Sequence, residues 1–556
     1  MKRYKWNIKE PAKNEEAIVQ KYNISVHLCR VLLNRNILEE DFLTFLNSSK
    51  DNFHSPYLLP DIEKAAERIK CSLQSNEHIF IYGDYDVDGI TSLAIFYEYI
   101  KNFPGSFTFY IPHRVHEGYG LNIEAIKKAK EKGAGLIVAF DCGTNSEEEI
   151  TLANSYGIDV VVIDHHHPRD CSNSCFAFVN PKRKDSKYPF LDLSAGALSF
   201  KLLQVLTRKD CFEVLDLVAL SLVCDVVPLR GENRILLKEG LLSIKQSKRN
   251  AIQALCSAAK IKQQNLDVFH LGYILGPRIN ASGRIAHAKD ALNMFISKDS
   301  DEVKNMALKL IEYNILRRNV EADILKQADD KLKNDFNDKH ALVVHGDGWH
   351  PGVLGIVASR LCDKYYRPAF VISFDDNVGV GSARSIENIH LAEMLGKCSD
   401  ILCGYGGHKK AAGIQITKDQ LSSFSIRINS LIKDNTDPKD FIPSLEIDCI
   451  LRFNEINNKF IEELETLKPF GEENPKPQFV SFSVKKKSAP KKIGSGYCLW
   501  VTDENTVFEA VFYDKDMFEI ISYGETFDIV YSLRMNTYHD IPKLMLKDVR
   551  LARDKS

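Results

Sequence analysis

The chain has 556 residues, of which 44% are hydrophobic, and its 73 Lys and Arg against 75 Asp and Glu give a formal net charge of -2. At roughly 150 residues per domain, this length predicts three or four domains, and the composition excludes a disordered chain. Because no apolar run approaches the roughly 18 residues of a membrane-spanning helix, and residues 1–10 lack the apolar stretch of a signal peptide, we expect a cytoplasmic protein.

Residues 1–75 are predicted to form a helical N-terminal segment, because apolar residues recur there at helical spacing and the first glycine is Gly83. A first α/β domain is predicted over residues 76–300, where short apolar runs alternate with helix-like segments. The runs suit buried parallel strands, and they are IFIY before Gly83, LIVAF before Asp141 and DVVVI before Asp164.

A single long helix is predicted over residues 301–340, because this segment has no Gly or Pro and its apolar positions form one stripe. At about 1.5 Å per residue it would extend roughly 50 Å and connect two domains, although a core helix with a charged outer face is the alternative. The stripe consists of Val303, Met306, Leu310, Tyr313, Arg317, Val320, Ile324, Ala328 and Leu332.

Two further domains complete the predicted order. Residues 341–437 repeat the α/β pattern, with strands predicted at ALVVH and PAFVISF and glycine-rich turns after them. Residues 438–556 contain mainly short alternating runs, and roughly five strands in about 80 residues indicate a small barrel, for which the OB type is the leading candidate. The predicted fold class is therefore α/β with a C-terminal β-barrel.

Three carboxylates, those of Asp84, Asp86 and Asp88, stand close together where the first predicted strand meets a helix. Charges at this spacing repel each other by roughly 1 to 4 kcal/mol per close pair, which a cation bound by oxygen ligands would offset. A solvated acidic loop, or helix capping by Asp86 or Asp88, is the alternative. An EF-hand does not fit, because a loop starting at Asp84 would need Glu at its twelfth position, where Ile95 lies.

Polar residues also follow two further strands and one very apolar run. Asp141 follows LIVAF, and Asp164, His165 and His166 follow DVVVI. Because the carboxyl ends of parallel strands open onto one crevice, we expect these groups to converge with the first three carboxylates. Asp225 ends the run LDLVALSLVC, and a salt bridge or a hydrogen bond at a helix end is the alternative to a role in the same site.

The predicted donor set contains several carboxylates, one or two imidazoles and no thiolate, which suits Mn²⁺ or Mg²⁺ better than a structural zinc. The 13 cysteines contain no CxxC pair, which argues against a zinc module and a disulfide framework and indicates a reducing compartment. Several Asp with one His supply ligands for two ions that share one Asp, an arrangement that serves phosphoryl chemistry. The residues therefore predict a phosphoester hydrolase.

Groups that could hold an anionic substrate occur further along the chain. The segment from Gly276 to Arg284 is predicted to be a Gly/Pro turn that carries two guanidinium forks suited to phosphate. For each candidate the alternative is a tight-turn glycine or a solvated surface side chain, so only the ensemble supports binding. The predicted substrate-binding residues are Arg278, Asn280, Arg284, His350, Ser382, Arg384, Gly407 and His408.

In the predicted barrel, lysines lie beside aromatic residues. Phosphate attraction and base stacking let such surfaces bind single-stranded nucleic acid, and core aromatics with a solubilising lysine loop are the alternative. The residues concerned are Phe482, Lys485, Lys486, Lys487, Lys491, Lys492, Tyr497 and Trp500.

The motifs GDYDVDG, DCGT, DHH and LVCDVVPL resemble those of the DHH phosphoesterase superfamily. The series LGPRINASGR, GWHPGVLGIVASR, GSARS, GGHKKAAG and LKPFGEENPKP resembles the RecJ family of bacterial single-strand-specific DNA exonucleases, and the resemblance covers roughly residues 75–556. It implies a DHH domain, a long helix, a DHH-associated domain and an OB barrel. It also implies two Mg²⁺ or Mn²⁺ ions and release of 5′-mononucleotides from single-stranded DNA in the 5′-to-3′ direction, during recombination and repair. Single-strand-binding protein and a helicase are the partners considered.

The resemblance also implies roles for individual residues. Asp141 would contact both metals, His166 would face the scissile phosphate, and Asp84 would act as ligand or orienter. Because His167 extends the DHH triplet, the choice of imidazole ligand stays open. The predicted metal ligands are Asp86 for one ion and Asp88, His165 and Asp225 for the other, with Asp141 shared. The predicted catalytic residues are Asp84, Asp86, Asp88, Asp141, His165, His166 and Asp225.

We therefore predict a two-metal 5′-to-3′ single-stranded-DNA exonuclease. One alternative is a DHH phosphodiesterase of short oligonucleotides or a cyclic dinucleotide, which would not need an additional strand-binding barrel. Another is a catalytically inactive DNA-binding scaffold, against which the complete set of mutually repelling carboxylates argues.

Overall fold

The computed structural model describes residues 4–169, 174–333, 336, 339–535 and 542–552. Contacts divide the chain into a larger unit, Ser49–Phe441, and a smaller unit that joins Met1–Ser48 to Ile442–Ser556. Across the described residues, no helix combines the length and the apolar character that a membrane crossing requires.

The strands and helices follow one another in this order. The strands are β1 (Lys5–Ile8), β2 (His78–Gly83), β3 (Phe107–Tyr110), β4 (Ala134–Phe140), β5 (Asp159–Ile163), β6 (Ala177–Val179), β7 (Leu342–Asp347), β8 (Ala369–Asp375), β9 (Val378–Arg384), β10 (Gly404–Gly407), β11 (Ala411–Thr417), β12 (Ser444–Ile447), β13 (Cys449–Ile450), β14 (Phe479–Lys486), β15 (Lys491–Ile493), β16 (Gly496–Thr502), β17 (Val507–Phe512), β18 (Thr526–Met535) and β19 (Pro542–Leu551). The α-helices are α1 (Glu15–Tyr22), α2 (Val26–Asn34), α3 (Phe42–Leu46), α4 (Ile62–Gln74), α5 (Val87–Ile100), α6 (Ile123–Glu131), α7 (Glu147–Ser155), α8 (Ala195–Thr207), α9 (Leu215–Cys224), α10 (Gly231–Gln246), α11 (Asn250–Ala258), α12 (Gly276–Ile285), α13 (Lys289–Ile296), α14 (Ser300–Leu332), α15 (Pro351–Tyr365), α16 (Leu391–Gly396), α17 (Leu421–Asp434), α18 (Asn458–Thr466) and α19 (Lys515–Tyr523). A π-helical turn, His270–Leu275, leads into α12.

The first sheet of the larger unit is parallel, with the strand order β3-β2-β4-β5-β6. Helices cover both of its faces. Ile79 and Val138 share a core with α4, α5 and α8, whereas Phe80 and Ile137 share a second core with α6 and α7. Burial on both faces explains the uninterrupted apolar runs, and the strands predicted at IFIY, LIVAF and DVVVI are confirmed.

The long helix α14 belongs to two cores. Val303 and Leu310 in its first half pack in the core of the parallel sheet, and Ile324 and Leu332 near its end pack in the core of the next sheet. The connecting role is confirmed. The helix ends at Leu332, before the predicted residue 340, because the apolar stripe ends there and Asn and Asp, which are weak helix formers, follow.

The second sheet of the larger unit is mixed, with the strand order β10-β11-β9-β8-β7. Only β7 and β8 run parallel, while β8, β9, β11 and β10 are antiparallel neighbours. Helices α15 and α17 pack into the same core as the inward side chains of these strands. This is the second α/β region that the sequence predicts.

The smaller unit contains a closed barrel. The strands β14, β18, β19, β17 and β16 pair in succession, and β16 pairs back to β14, which closes a ring of five strands. The predicted OB-type barrel is therefore confirmed. The prediction that residues 1–75 form a helical segment is wrong at its start. Strand β1 pairs there in parallel with β12, and the Trp6 indole donates to Asp548 Oδ2 at 2.6 Å. The four residues of β1 are too few for a recognisable alternating pattern, and their partner strand lies far along the chain.

Candidate active site

The polar residues that follow the strands of the parallel sheet lie together at its carboxyl edge. Their ligand atoms form three overlapping groups, and within each group all atoms lie within 4.8 Å of one another. The groups are Asp84, Asp86 and Asp141; Asp88, His165 and Asp225; and Asp141, Asp164, His165 and His166. We use the name acidic cluster for Asp84, Asp86, Asp88, Asp141, His165 and Asp225.

The turn between β2 and α5 directs the first three carboxylates toward one another. Asp86 caps the helix, because its Oδ1 accepts from the N–H groups of Asp88 at 2.9 Å and Gly89 at 3.2 Å. Gly89 permits this tight turn, since a Cβ there would lie 2.4 Å from the Asp84 carbonyl oxygen. Helix capping, the alternative to a metal role, is therefore present, and it engages Oδ1 of Asp86.

Asp88 is buried in the first turn of α5, where three donors fix its carboxylate. The N–H groups of Ala195 and Gly196 each donate at 2.8 Å, and the Ser221 hydroxyl donates at 2.6 Å. Burial and the neighbouring Asp86 charge nevertheless raise the pKa of Asp88 to about 6. The carboxylate is thus held in place, but its ionised form needs a further positive partner.

Asp141 follows β4 in a left-handed conformation, with a φ of 61°. Such backbone strain costs roughly 1 to 3 kcal/mol and occurs characteristically at functional sites. The Asp141 N–H donates to the Ile163 carbonyl at 3.0 Å, so the turn is anchored to β5. Burial and the charges of Asp88 and Asp86 raise the pKa of Asp141 well above its usual range.

The three consecutive histidines after β5 have different surroundings. His165 Nε2 lies 3.2 Å from Asp141 Oδ1 and 3.6 Å from Asp225 Oδ2. Burial lowers the pKa of His165 to about 3, which leaves a neutral imidazole with a lone pair for a metal. The pKa of His167 is lowered chiefly by the nearby charge of Lys182. Of the three, His165 is the histidine placed among the carboxylates.

Asp164 holds the second histidine, His166. Its Oδ1 lies 2.7 Å from His166 Nδ1, and its Oδ2 accepts from the Thr144 N–H at 3.0 Å. Burial opposes ionisation of Asp164, but the contact with His166 holds its pKa well below the usual range. Burial likewise opposes the charge on His166, yet Asp164 raises its pKa. The hydroxyl of Tyr119 completes the arrangement, 3.0 Å from His166 Nδ1 and 3.2 Å from the Asp141 carbonyl oxygen.

Asp225 directly follows the last residue of α9 and faces His165. Its N–H continues the helix by donating to the Ser221 carbonyl at 3.0 Å. Burial and the charges of Asp88 and Asp86 raise the pKa of Asp225 well above its usual range, although Lys182 acts in the opposite direction. The helix-end hydrogen bond predicted as the alternative is thus made by the backbone, and the carboxylate remains within the acidic cluster.

The acidic cluster has the chemistry of a divalent-cation site. Asp84 Oδ1 and His165 Nε2 are buried without a hydrogen-bond partner among the described residues, whereas buried polar atoms are normally paired. Burial together with like charge raises the pKa values of Asp84, Asp141 and Asp225, and cations would relieve that repulsion. Carboxylate oxygens with one neutral imidazole fit Mn²⁺ or Mg²⁺.

The segment from Gly276 to Arg284 forms helix α12, so its prediction as a Gly/Pro turn is wrong. Pro277 is the second residue of α12 and follows directly after the π-helical turn His270–Leu275. The glycines serve close packing instead of a turn, since a Cβ at Gly283 would lie 2.8 Å from the Tyr85 carbonyl oxygen. Asn280 Oδ1 accepts from the Val87 N–H at 3.0 Å, which ties α12 to the first turn of α5.

Positive charge gathers beside the acidic cluster. Arg284 donates to the Gly352 carbonyl oxygen at 3.2 Å, and burial with the nearby Arg114 lowers its pKa to about 9. Arg384 contacts Ser382 Oγ at 3.4 Å, and burial followed by Arg114 also lowers its pKa. Burial and a neighbouring arginine thus disfavour the charge on each guanidinium group, and a bound anion would offset this effect.

The other predicted substrate residues have identifiable local roles. His350 caps α15 by accepting from the Gly352 N–H at 3.1 Å. A Cβ at Gly407 would lie 2.4 Å from the Ala411 carbonyl oxygen, so the hairpin of β10 and β11 requires glycine there. His408 lies close enough to His167 to contribute to the lowering of its pKa.

Three residues near the acidic cluster were missed from the sequence. Arg114 lies over the Tyr85 ring, 4.7 Å from its centroid, and Tyr119 contacts His166. Lys182 acts electrostatically on Asp225. Arg114 and Tyr119 lie in the loop after β3, and Lys182 follows β6. The rule that identified Asp141, that functional groups follow the carboxyl ends of parallel strands, would also have pointed to these two segments.

Some of the basic and aromatic residues of the barrel have partners within the smaller unit, and others are exposed as strand binding would require. Lys485 pairs with Glu504, Lys486 pairs with Glu525 at 3.1 Å, and Tyr497 packs against internal aromatic rings. These side chains therefore have partners within the smaller unit. The other predicted strand-binding residues are exposed, and they are Phe482, Trp500, Lys487, Lys491 and Lys492. The three lysines form no ion pair in the described part of the chain.

Comparison with known proteins matches each part of this architecture. Residues 78–222 match the N-terminal domain of the DHH family, residues 337–434 match the DHHA1 domain, and residues 447–548 match the RecJ OB domain. The crystal structure of RecJ in complex with Mn²⁺ from Thermus thermophilus aligns with a TM-score of 0.84 at 24% identity, over 99% of this chain and 80% of that one. A structure of exonuclease RecJ bound to manganese aligns with a TM-score of 0.61 at 29% identity, over 68% of this chain and 96% of that one.

Sequence similarity extends over the same length. The single-stranded-DNA-specific exonuclease RecJ of Escherichia coli (strain K12) is 32% identical over 449 residues, which cover 76% of this chain and 78% of that protein. The protein of the same name from Bacillus subtilis (strain 168) is 33% identical over 560 residues, 99% of this chain and 71% of that one. With this identity, and with all three domain matches in order, the chain belongs to the RecJ family of single-stranded-DNA-specific exonucleases.

Proposed function

We propose that this chain hydrolyses phosphodiester bonds at the end of single-stranded DNA in a metal-dependent reaction. The observation that carries the proposal is the acidic cluster, in which buried carboxylates surround the unpartnered Nε2 of His165. The OB-type barrel supplies a fold that binds single strands, which a small-substrate phosphodiesterase would not need.

Two divalent cations, Mn²⁺ or Mg²⁺, fit the overlapping ligand groups. Asp86 would hold one ion, with Asp84 as a further ligand or orienter, and Asp141 would contact both ions. When bound, such a pair of ions acidifies an attacking water and neutralises charge that develops on the phosphate. The remaining ligands, which would hold the second ion, are Asp88, His165 and Asp225.

His166 would face the scissile phosphate as a hydrogen-bond donor. Asp164 holds its Nδ1 and favours the protonated ring, so the imidazole can stabilise negative charge on a phosphate oxygen. Tyr119 fixes the position of the same ring through its hydroxyl. The contacts made by Asp164 and Tyr119 thus orient a group that acts on the substrate.

The guanidinium and amide groups beside the acidic cluster would bind phosphates of the strand. Arg284 and Arg384 are repelled by Arg114 and gain most from an anion between them. Asn280 supports the site by fixing α5 to α12. The further residues proposed to contact substrate are Arg278, His350, Ser382, Gly407 and His408.

The direction and the biological setting follow from family membership. We propose 5′-to-3′ removal of 5′-mononucleotides during DNA recombination and repair, with single-strand-binding protein and a helicase as partners. The domain limits predicted above, 76–300 for the DHH region, 341–437 for the DHH-associated region and 438–556 for the barrel, are part of the same proposal.

Gel analysis of end-labelled substrates in Mn²⁺ tests this function. We expect stepwise shortening of a single strand, with slower loss of a blunt duplex, and release of mononucleotides from the 5′ end. Cleavage confined to dinucleotides would identify a small-substrate phosphodiesterase, and strand binding without cleavage would identify an inactive scaffold. Either result contradicts the proposal.

A further inference from the structure

Two exposed aromatic rings stand at the entrance to α12. Phe269 and Tyr273 are stacked, with ring centroids 5.3 Å apart and an interplanar angle of 24°. They are 57% and 75% exposed. Two stacked, exposed rings form a surface on which a nucleobase can stack. We use the name aromatic pair for these two residues.

The backbone beneath the aromatic pair is fixed to the end of α9. Leu271 and Leu275 are buried, and a Cβ at Gly276 would lie 2.5 Å from the Cys224 Sγ. Asp225 of the acidic cluster is the residue after Cys224. The aromatic pair therefore stands on a rigid element that borders the acidic cluster.

The local helix geometry is also unusual. Tyr273 lies within the π-helical turn His270–Leu275, and Phe269 immediately precedes it. Short π-helical turns inside helices are uncommon and occur frequently at functional sites. In an ordinary α-helix, residues four apart already lie on one face, and here the two side chains form a continuous stacked surface.

Cations lie one turn further along. Arg278 donates to the Ile274 carbonyl oxygen at 2.5 Å, and its buried Nε has no partner among the described residues. Arg318 of α14 is exposed and lies near enough to act on Arg278 electrostatically. No carboxylate in the described ranges forms a salt bridge with either guanidinium. Positive charge without an ion pair among the described residues therefore follows the aromatic pair along the same helical segment, where an anionic chain would neutralise it.

We propose that the aromatic pair is a stacking platform for bases of the single strand next to the nucleotide at the acidic cluster, with Arg278 and Arg318 holding the flanking phosphates. Aromatic faces beside cationic side chains bind single strands with little base preference, because every base has a π-face. The inference rests on the proposed function, since it takes single-stranded DNA as the substrate. A protein partner would also cover apolar surface, but it would not explain as directly the two guanidinium groups that lack an ion pair among the described residues.

Binding of a fluorescent oligonucleotide to the full-length protein tests the platform. We compare the unmodified chain with F269A/Y273A in EDTA, by fluorescence anisotropy, on a thymidine strand and on a strand of equal length with abasic sites near the 5′ end. The platform predicts that the double variant binds the thymidine strand about tenfold or more weakly, while its affinity for the abasic strand stays within about twofold. Y273F should bind both strands as the unmodified chain does, because the ring face is kept.

A matched variant controls for the loss of an exposed ring elsewhere. Tyr57 is 50% exposed and lies outside the acidic cluster, so Tyr57→Ala should leave both affinities unchanged. Should F269A/Y273A lose thermal stability, F269L/Y273L replaces it, since leucine keeps apolar volume without a π-face. Equal loss on both strands, or no loss on the thymidine strand, would overturn the platform.

Cleavage measured on the same variants separates the platform from the proposed function. The double variant should still cleave dinucleotides in Mn²⁺ at a rate within about twofold of the unmodified chain, because these substrates do not extend past the acidic cluster. If the unmodified chain cleaves no DNA but shows the base-dependent binding difference, the proposed function fails and the platform stands. If it cleaves normally and the binding difference is absent, only the platform fails.

Discussion

The acidic cluster and the cationic residues beside it show two different ways to prepare a site for charge. Asp88 is fixed by three buried donors, and Asp86 is fixed by the first turn of a helix. Arg284 and Arg384 donate instead to backbone carbonyl oxygens, and neither forms an ion pair with a carboxylate among the described residues. Asp86 and Asp88 are therefore held in place before any cation binds, whereas Arg284 and Arg384 keep their charge without an ion-pair partner in the described part of the chain.

The electrostatics of the two regions are complementary. Burial and like charge raise the pKa of Asp141 and lower that of Arg284 to about 9, so each region disfavours its own ionised form. Metal ions relieve the first region, and phosphates relieve the second. This difference suggests that metal binding depends on the acidic cluster alone, while strand binding depends on both regions.

The largest expected effect is that of Asp141→Ala. Asp141 belongs to two of the three ligand groups, so its loss should lower kcat/KM by about a thousandfold or more and leave the fold intact. Steady-state cleavage of a labelled single strand measures this effect. As a control, Asp375→Ala removes an exposed carboxylate at the end of β8 and should be neutral. Activity of Asp141→Ala within about tenfold of the unmodified chain, about 1.4 kcal/mol of barrier, would contradict the two-metal site.

A second comparison separates strand binding from metal binding. Arg384→Ala should weaken single-strand affinity roughly 10- to 100-fold, and Arg384→Lys should restore little, because an ammonium replaces the two-pronged fork. Calorimetric titration of Mn²⁺ should hardly change in Arg384→Ala, whereas His165→Ala should bind the second ion clearly more weakly.

Arg427 offers a matched control for this pair, since it is a surface arginine of α17 that pairs with Asp400. Arg427→Ala should alter neither the Mn²⁺ titration nor the affinity for the single strand. If Arg384→Ala abolished metal binding while His165→Ala preserved it, the division of labour between the two regions would be reversed.

The pH dependence of stability should also distinguish the two regions. A carboxyl group whose pKa is raised in the folded state binds more protons in the folded protein than in the unfolded chain. The free energy of unfolding therefore falls as pH rises from the unfolded-state pKa to the folded-state pKa. Above about pH 6.5, the ordinary pKa of an unfolded histidine, the opposing slope from His165 fades. Asp84, Asp141, Asp225 and His166, whose pKa values are all raised in the folded state, then act in the same direction.

Without metal, we expect the free energy of unfolding to fall between pH 6.5 and pH 8, by up to about 1.4 kcal/mol per pH unit for each extra proton bound. Saturating Mn²⁺ should reduce this slope, because the ions replace the protons on the carboxylates, while the part due to His166 should remain. Urea denaturation in EDTA and in Mn²⁺ measures both curves. A slope of the opposite sign in EDTA would show that the carboxylates are ionised without a cation.

The smallest effect is expected in the barrel. Replacing Lys487, Lys491 and Lys492 with Gln should weaken binding of a long strand about threefold and reduce the salt slope by up to about 2, because fewer counterions are released. Changing Lys485, which pairs with Glu504, should have less effect. An unchanged salt slope in the triple variant would assign these lysines to solubility alone.

Much of the acidic cluster could be predicted from the sequence, because strand ends of a parallel sheet must meet at one edge. Asp84, Asp141 and His165 follow from that rule. Which imidazole faces the carboxylates could not be predicted, since it depends on how Asp164 orients the turn after β5.

Other features required tertiary information. The Gly and Pro residues between Gly276 and Arg284 indicate a turn by local propensity, yet packing against Cys224 and Tyr85 makes the same glycines suitable for a helix. The aromatic pair carries no motif, and only its exposure reveals it.

The parallel pairing of β1 with β12 has a consequence for how the protein is made. All of Ser49–Phe441 can fold once it has left the ribosome, whereas Lys5–Ile8 must wait for Ser444–Ile447. The ribosome adds about 5 to 20 residues per second, so roughly 20 to 90 seconds separate the synthesis of Lys5–Ile8 from that of Ser444–Ile447. A polypeptide released late in this interval, after Asp225 has been added, would contain every member of the acidic cluster but no barrel, so termination there would yield a fragment with metal ligands and without the module proposed to hold long strands.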